Sequence, residues 1–268
     1  MTAQTRSEIA ELLERHGLAP VHRLGQHFLA DANITRKIVA VAGVGPGSKV
    51  VEVGAGTGTL TRALAAAGAK VIAYEVDGGL RPVLQEVTSG LDVELRFADV
   101  TTVDFATALP DGDWSMVANL PFNVGTPVVL EALRSATSIQ RFVVMVQREV
   151  AKRFAASPGS PAYGLPSVVA GMHAETSMEF TVPPQVFYPP PRVESAVVVM
   201  TRKSAPEEAE RAVHLARAAF GQRRKMLRRS LARVLDHPTV SLESAGIDPT
   251  GRAEDLTPED YLRLARVR

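Results

Sequence analysis

Short apolar runs alternate with amphipathic stretches from residue 49 onward, and this alternation restricts the fold more than any other feature of the chain. The predicted strands are KVVEV (49–53), KVIAYEV (70–76), VELRF (93–97), WSMVANL (114–120), RFVVMVQ (141–147) and SAVVVMTRK (195–203). Helices are predicted between them, near 59–68, 78–88 and 125–136. The strands are apolar along their whole length, which is typical of a sheet covered on both faces. We therefore expect an α/β, Rossmann-like fold with a mostly parallel sheet.

The character of the chain changes after Lys203. Before that residue, the passage VPPQVFYPPPRV (182–193) holds too many prolines for a helix or a central strand, so a stiff extended connection is expected. After it, every apolar segment has helical spacing. The sequence thus predicts an α/β domain over residues 1–203 and a small all-helical domain over residues 204–268.

Composition excludes several classes of protein. The 268 residues include no cysteine, so disulfides, thiolate metal sites and cysteine nucleophiles are all excluded, and no metal site is predicted. No stretch has the apolar length of a membrane span or of a signal peptide. A cytoplasmic enzyme or binding protein is therefore expected, without a membrane partner.

The charge of the chain is unevenly distributed. Ten basic residues and three glutamates lie between Arg202 and Arg233, which makes this stretch +7 and leaves −6 for the rest of a chain whose total is +1. A basic patch on an otherwise acidic chain indicates a polyanionic partner, although a solvated helix face would have the same composition.

A glycine-rich turn follows the first of these strands, in Val51-Glu-Val-Gly-Ala-Gly-Thr-Gly58. Glycines at this place let the main chain approach a ligand closely, next to the N-terminus of a helix. The G-x-G-x-G spacing differs from the nicotinamide fingerprint, and no Gly-Lys-Ser/Thr follows as in a P-loop. An acidic residue two positions before Gly54 makes the segment similar to motif I of S-adenosylmethionine-dependent methyltransferases.

Polar side chains also follow the next three strands. Glu75 can accept bonds from both ribose hydroxyls of a nucleoside cofactor, and Asp99 can accept one from an adenine amine. The fourth strand ends in Asn119-Leu120-Pro121-Phe122, similar to motif IV of methyltransferases that act on exocyclic amines. The Asn119 side-chain oxygen and the Leu120 carbonyl can hold the two N6 hydrogens of adenine. Pro121 stiffens the turn, and Phe122 offers a face on which an extruded base stacks.

Further segments extend this similarity from about residue 20 to the C-terminus. They are Leu24-Gly-Gln-His-Phe-Leu29, Gln147-Arg-Glu-Val-Ala151, Tyr163-Gly164, Phe187-Tyr-Pro-Pro-Pro-Arg-Val-Glu-Ser195, Gln222-Arg-Arg-Lys225 and Arg252-Ala-Glu-Asp-Leu256. In order and spacing the chain resembles the ribosomal RNA adenine N6,N6-dimethyltransferases, in their bacterial small-subunit form. The resemblance implies dimethylation of two adjacent adenosines in the 3′-terminal hairpin loop of 16S rRNA within an immature 30S particle. It also implies S-adenosylmethionine as methyl donor and S-adenosylhomocysteine as product.

The resemblance assigns roles to individual positions. The implied cofactor-binding residues are Gln26, His27, Leu29, Gly54, Gly56, Glu75, Asp99 and Asn119. Residues Asn119 to Phe122 form the implied base site. Two positions depart from the common pattern: Phe122 replaces Tyr and keeps the stacking face, and His27 replaces Asn.

The basic stretch takes the role of an rRNA contact in this interpretation. Its expected RNA-binding residues are Arg223, Arg224, Lys225, Arg228 and Arg229, on one face of a helix whose buried face includes Met226, Leu227 and Leu231. We expect a monomer, since nothing in the sequence requires an oligomer.

Two other functions are considered. An Erm-type enzyme would methylate a large-subunit adenosine, but such enzymes usually have Asn-Ile-Pro-Tyr/Phe followed by Ser or Thr, whereas Asn123-Val124-Gly125 follows here. A non-catalytic ribosome assembly factor would be expected to lose Asn119, Glu75 or a glycine of the turn, and all are present.

Overall fold

The computed structural model describes residues 4–267, and the chain forms two compact units. The first unit extends to Ala151 and resumes over Ser177–Thr201, whereas the second comprises Lys152–Thr176 and the chain from Arg202 onward. None of the described helices is long and apolar enough to cross a membrane.

The strands and helices follow the predicted alternation. The strands are β1 (Phe28–Leu29), β2 (Lys49–Val53), β3 (Lys70–Glu75), β4 (Val93–Phe97), β5 (Trp114–Asn119), β6 (Ile139–Gln147), β7 (Ala174–Val182), β8 (Phe187–Tyr188) and β9 (Ser195–Arg202). The helices are α1 (Arg6–Arg15), α2 (Ala32–Ala42), α3 (Thr59–Ala66), α4 (Arg81–Thr88), α5 (Phe105–Ala108), α6 (Gly125–Ser135), α7 (Arg148–Phe154), α8 (Leu165–His173), α9 (Ala209–Gly221), α10 (Leu227–Ser230), α11 (Pro238–Ser244) and α12 (Pro258–Arg266).

Seven strands form one sheet in the order β4-β3-β2-β5-β6-β9-β7. The pairs from β4 through β6 are parallel, and β9 joins β6 in the antiparallel sense. The expected Rossmann-like, mostly parallel sheet is thereby confirmed. Because parallel strands end at the same edge, the chain segments after β2, β3, β4 and β5 are brought side by side.

The interior of the first unit is made by the apolar strands and the helices that cover them. Val50, Val71, Val117 and Val143 are fully buried in neighbouring strands. Helix α2 begins at an Asp31 cap, whose carboxylate accepts from the main-chain N–H groups of the next turn, at 2.8 Å each. Close packing of the buried strands leaves the sheet little freedom to deform.

The second unit is a helical bundle in which α8 packs against α9 and α12. Its interior contains the phenol rings of Tyr163 and Tyr261, whose hydroxyls donate to the main-chain carbonyls of Leu256 and Ala253 at 2.8 and 2.9 Å. The ring of Phe220 lies between them, 6.1 and 6.4 Å from their centroids. The packing of α8 explains why Lys152–Thr176 groups with this unit, although the sequence boundary at 203/204 had placed those residues in the first domain. That residues 1–203 and 204–268 fold as separate domains stays a prediction.

Three strands were not predicted, and one connection differs from expectation. β1 and β8 are only two residues long each and pair with each other. β7 at the sheet edge carries Glu175, Ser177 and Glu179, so its sequence lacks the apolar run that identified the other strands. The proline-rich passage is not wholly extended, since it includes a 3₁₀ turn at Pro184–Val186 and the short strand β8, which pairs with β1.

Candidate active site

A cleft of about 190 Å³ opens at the carboxyl edge of the sheet in the first unit. Four strand ends and the segment Leu24–Leu29 line it, and all of the residues predicted to bind the cofactor or the base lie on its wall. The structure thus brings together side chains that are spread over about 100 positions of sequence, from Gln26 to Phe122.

The glycine-rich turn forms one wall of the cleft. The main-chain N–H of Gly56 donates to Glu75 Oε2 at 2.8 Å, which joins the first strand end to the second. Gly56 has a φ of +57°, and a Cβ at this position would lie 2.9 Å from Phe28 Cδ1. Only glycine fits there, because a side chain would be strained in its main-chain conformation and would displace the Phe28 ring.

Glu75 is a buried carboxylate held in place by the main chain. Besides Gly56, the N–H of Asp77 donates to it, to Oε1 at 2.9 Å. Burial raises the pKa of Glu75 above its ordinary value, and these two main-chain bonds oppose that rise. The arrangement leaves a fixed acceptor at the place where the sequence predicted ribose recognition.

Glu52 is a second buried carboxyl group on the cleft wall, to which the sequence prediction assigned no role. Burial raises its pKa to about 8, the charge of Glu75 adds to the rise, and the Thr61 hydroxyl opposes it. Its Oε2 has no hydrogen-bond partner among the described residues. The signal in the sequence was an acidic residue inside an otherwise apolar strand. Burial of a carboxylate costs free energy, so such a residue indicates a specific role.

Asp99 lies on the exposed rim of the cleft. Its Oδ1 accepts from the hydroxyl and the N–H of Thr101 at 2.7 and 2.9 Å, and these bonds lower the pKa of Asp99. Asp99 therefore caps a short 3₁₀ helix and is ionised at the cleft, so that one residue combines the structural and the predicted binding role.

Asn119 is oriented by the chain segment across the cleft. Its Nδ2 donates to the main-chain carbonyl of His27 at 3.0 Å. With the amide nitrogen engaged in this way, Oδ1 is the part of the side chain left to accept hydrogen bonds.

The residues after Asn119 form a tight turn into α6. The carbonyl of Pro121 accepts from the N–H groups of Val124 and Gly125 at 3.3 and 3.0 Å. Phe122 is half-buried, and its ring centroid lies 5.5 Å from that of His27, with the planes tilted by 34°. His27 is itself fixed, since its Nδ1 donates to the Pro189 carbonyl at 2.8 Å.

Gln26 lines the cleft, but its amide is engaged within the protein. Its Oε1 accepts from the N–H of Val21 at 2.7 Å, and its Nε2 donates to Asp77 Oδ2 at 2.8 Å. Gln26 therefore ties the segment Leu24–Leu29 to the end of β3. Leu29, which is buried, pairs with Phe187 in the small β1–β8 sheet.

The basic residues of the second unit differ from the expected helix face. Helix α9 ends at Gly221, residues 222–226 form a turn, and α10 begins only at Leu227. The helix predicted over the basic residues is therefore wrong at residues 222–226. The Lys225 N–H closes a turn on the Gln222 carbonyl, and the first N–H groups of α10 donate to the carbonyls of Gly251 and Pro249. Leu227 and Leu231 are fully buried as predicted, but Met226 is 40% exposed and does not belong to the buried face.

The five predicted RNA-binding side chains are nevertheless all exposed. Arg223 forms an ion pair with Glu254. Among the described residues, Arg224 and Lys225 form no ion pair, so their charges are available to an anionic partner.

Comparison with known proteins gives consistent matches over nearly the whole chain. The family model for ribosomal RNA adenine dimethylase matches residues 21–267. The chain is 44% identical to the ribosomal RNA small subunit methyltransferase A of Phenylobacterium zucineum, over 99% of this chain and 94% of the relative. It is 45% identical to the protein of the same description from Leifsonia xyli subsp. xyli, over 97% of this chain and 96% of the relative.

Solved structures share the fold. A dimethyladenosine transferase from Plasmodium falciparum superposes with a TM-score of 0.75 at 23% identity, covering 89% of this chain and 96% of that one. The 23S rRNA methyltransferase ErmE gives a TM-score of 0.69 at 27% identity, covering 89% of this chain and 98% of that one.

Proposed function

This chain belongs to the ribosomal RNA adenine dimethylase family, and from that premise we propose that it dimethylates the N6 amines of two adjacent adenosines in the 3′-terminal hairpin loop of 16S rRNA. The methyl donor in this proposal is S-adenosylmethionine. The observation that carries the proposal is the orientation of Asn119 by the His27 carbonyl, which leaves Oδ1 as an acceptor in the cleft that Phe122 also lines.

The cleft residues fit the proposed cofactor. Glu75 offers a fixed carboxylate for the ribose hydroxyls, Asp99 an acceptor for the adenine amine, and the glycine turn a close approach of the main chain. The buried Oε2 of Glu52 is a polar atom without a partner among the described residues, as expected of a group that meets a donor on a ligand. When bound, S-adenosylmethionine supplies an electrophilic methyl group on a sulfonium, and S-adenosylhomocysteine is released.

The base site acts on the nitrogen by holding its hydrogens. The N6 lone pair of adenine is delocalised into the ring, so the amine is a poor nucleophile. In the first transfer, hydrogen bonds from both N6 hydrogens to Asn119 Oδ1 and to the Leu120 carbonyl favour a pyramidal nitrogen with a localised lone pair. In the second transfer the monomethylated amine has one hydrogen left and makes one of these bonds. No strong general base is needed, because the proton becomes acidic once the nitrogen has been methylated.

Stacking supplies the remaining part of base recognition. The Phe122 ring is half-buried and is buttressed by His27, whose own ring is tied to Pro189. A flipped adenine stacks on such a fixed ring with little loss of side-chain entropy. Catalysis is then mainly positioning of the amine for in-line displacement.

The basic side chains of the second unit are proposed to bind rRNA phosphates. Arg224, Lys225, Arg228 and Arg229 are exposed, and such contacts give affinity without reading sequence. We further propose that the enzyme acts as a monomer in the cytoplasm, on small subunits during their assembly.

The curated relatives favour this function over the Erm-type alternative. Proteins described as small-subunit methyltransferases are 44 and 45% identical to the chain, whereas ErmE is 27% identical. A non-catalytic assembly factor is disfavoured because the carboxylates and the Asn119 amide of the cleft are all held in position by hydrogen bonds.

The deciding experiment is transfer of labelled methyl groups from S-adenosylmethionine to purified small subunits that lack the modification. Large subunits and naked rRNA are assayed in parallel, and the nucleosides are then identified. N6,N6-dimethyladenosine formed on small subunits is expected. Product on large-subunit RNA would assign the chain to the resistance enzymes, and cofactor binding without any product would favour the assembly factor.

A further inference from the structure

The N-terminal segment reaches the glycine-rich turn through one buried side chain. Gln4, just before α1, is 6% exposed, and its Oε1 accepts from the hydroxyls of Thr57 and Thr59 at 2.9 and 2.7 Å. Both threonines are buried as well, so water does not replace Gln4 as their acceptor.

The two threonines lie where the turn needs support. They flank Gly58, which has a φ of +80° and precedes α3 without any side-chain cap. Glycine adopts this positive φ without strain, but it has more main-chain freedom than any other residue. The turn around Gly58 therefore gains from contacts that restrict it. The bonds from Thr57 and Thr59 to a single oxygen therefore hold the residues on both sides of Gly58.

A second residue of the same segment holds the small β1–β8 sheet, of which the strand β1 lines the cleft. Arg6 donates through Nε and Nη2 to the Phe187 carbonyl at 3.1 and 2.8 Å. Phe187 pairs with Leu29 in the β1–β8 sheet, and Phe28 of that sheet lies against Gly56. Gln4 and Arg6 thus act on two sides of one turn from positions two residues apart.

The helix α1 that follows Gln4 is anchored to the core of the first unit, so Gln4 itself is held in place. Ile9 and Leu13 of α1 are buried in the main apolar core of the first unit. Thr5 and Glu8 form a reciprocal capping box at the start of α1, with the Thr5 N–H donating to Glu8 at 2.6 Å. Gln4 is therefore held at a fixed distance from the core immediately before a capped helix.

We propose that Gln4 is a positioning residue for cofactor binding, which acts by fixing the Thr57 and Thr59 hydroxyls and with them the glycine-rich turn. This inference rests on the proposed function, because the ligand of the turn is taken to be S-adenosylmethionine. Gln4 contacts neither the methyl donor nor the base site in this proposal. Its effect is on the affinity for the cofactor, because it fixes the turn that binds the cofactor.

The test is a double-mutant cycle on S-adenosylhomocysteine affinity, measured by calorimetry with the full chain. Its arms are Gln4→Met, which keeps the size but removes the acceptor, the pair Thr57→Val with Thr59→Val, and all three together. We expect Gln4→Met to weaken binding about five- to tenfold, as lost hydrogen bonds of ordinary strength would. The combined variant should bind about as weakly as the threonine pair alone, because the coupling runs through the same bonds.

Controls separate this effect from a general loss of structure. Gln140→Met makes the same chemical change at an exposed position of β6 and should leave affinity unchanged. Gln4→Glu keeps an oxygen acceptor and should recover most of the affinity. In methyl-transfer assays Gln4→Met should raise the KM for S-adenosylmethionine and leave the KM for rRNA unchanged.

The outcomes are distinguishable. If the wild type binds S-adenosylhomocysteine and Gln4→Met binds it equally well, or if the cycle is additive, the positioning role is overturned. If the wild type itself does not bind the ligand, the proposed function fails. Should Gln4→Met not fold, Gln4→Leu, which also removes the acceptor, takes its place in the cycle, and additivity there overturns the role in the same way.

Discussion

The side-chain nitrogen of Asn119 donates to the main-chain carbonyl of His27 across 92 positions of sequence, at 3.0 Å. This bond decides which end of the amide is available to a substrate, since the nitrogen is engaged and Oδ1 is left as an acceptor. Because His27 is hydrogen-bonded to Pro189 and its ring lies 5.5 Å from that of Phe122, the same residue supports both the hydrogen-bonding and the stacking part of the base site. The base site is therefore preorganised by the segment that precedes α2.

Replacement of Asn119 by Ala should remove nearly all methyl transfer and leave cofactor binding largely intact, because the other implied cofactor contacts of the cleft are kept. Loss of an oriented acceptor from a preorganised site lowers kcat by about 10²–10³-fold or more. The measurement is single-turnover methyl transfer to small subunits, with S-adenosylhomocysteine affinity measured alongside. Asn33→Ala on the exposed face of α2 is the matched control. Retained turnover in Asn119→Ala would refute the assigned role.

The ring of Phe122, and not a hydroxyl, should be what the reaction requires. Phe122→Tyr is expected to keep activity, whereas Phe122→Ala should lower kcat/KM for rRNA by about tenfold or more, in line with ~1–3 kcal/mol for base stacking. The affinity for S-adenosylhomocysteine should not change in either variant. Equal activity of the Ala and Tyr variants would show that the base does not stack on this ring.

The buried carboxyl of Glu52 should make the stability of the ligand-free protein depend on pH. Its pKa is raised to about 8 in the folded state, so the folded protein holds a proton that the unfolded chain releases near its ordinary value. The stability contributed by this group is complete below that ordinary value and is lost as the pH rises to about 8. Glu52→Gln should therefore have a higher Tm than the wild type, by a margin that grows from pH 5 to pH 8.

Thermal unfolding followed across that pH range measures the margin. Glu11→Gln, at an exposed position of α1, should give a curve parallel to the wild type. A constant difference between Glu52→Gln and the wild type would mean that Glu52 does not titrate in this range.

The basic turn should contribute to rRNA binding unevenly. Arg224→Gln and Lys225→Gln should each weaken binding and reduce the slope of log affinity against log salt by about 0.7–0.9. Arg223→Gln should have a smaller effect, because Glu254 already engages that guanidinium. Binding to small subunits measured at several salt concentrations tests this order, with Lys70→Gln at an exposed position of β3 as control. Identical slopes for the wild type and the Arg224 variant would remove these residues from the interface.

Local patterns in the sequence predicted much of the structure correctly. The strands β2 to β6 and β9 and the helices α3, α4 and α6 were predicted, because most of these strands are apolar runs in a sheet that is covered on both faces. The edge strand β7 was missed because half of its side chains are polar and exposed. The basic run was wrongly predicted as one helix, since its helical spacing gave no sign that the segment at residues 249–251 would supply the acceptors for a new helix start.

The sequence by itself determined the α/β fold, the position of the glycine-rich turn at the end of β2, and the residue types of the base site, because each is encoded within a few consecutive residues. Only the tertiary structure decided how those residues are held. The Asn119 amide is oriented by His27, and Glu75 accepts a hydrogen bond from Gly56. Gln4, which precedes α1, accepts a hydrogen bond from Thr57, which follows β2. Such contacts depend on the packing of distant segments, which places a particular donor opposite a particular acceptor and leaves no periodic trace in the chain.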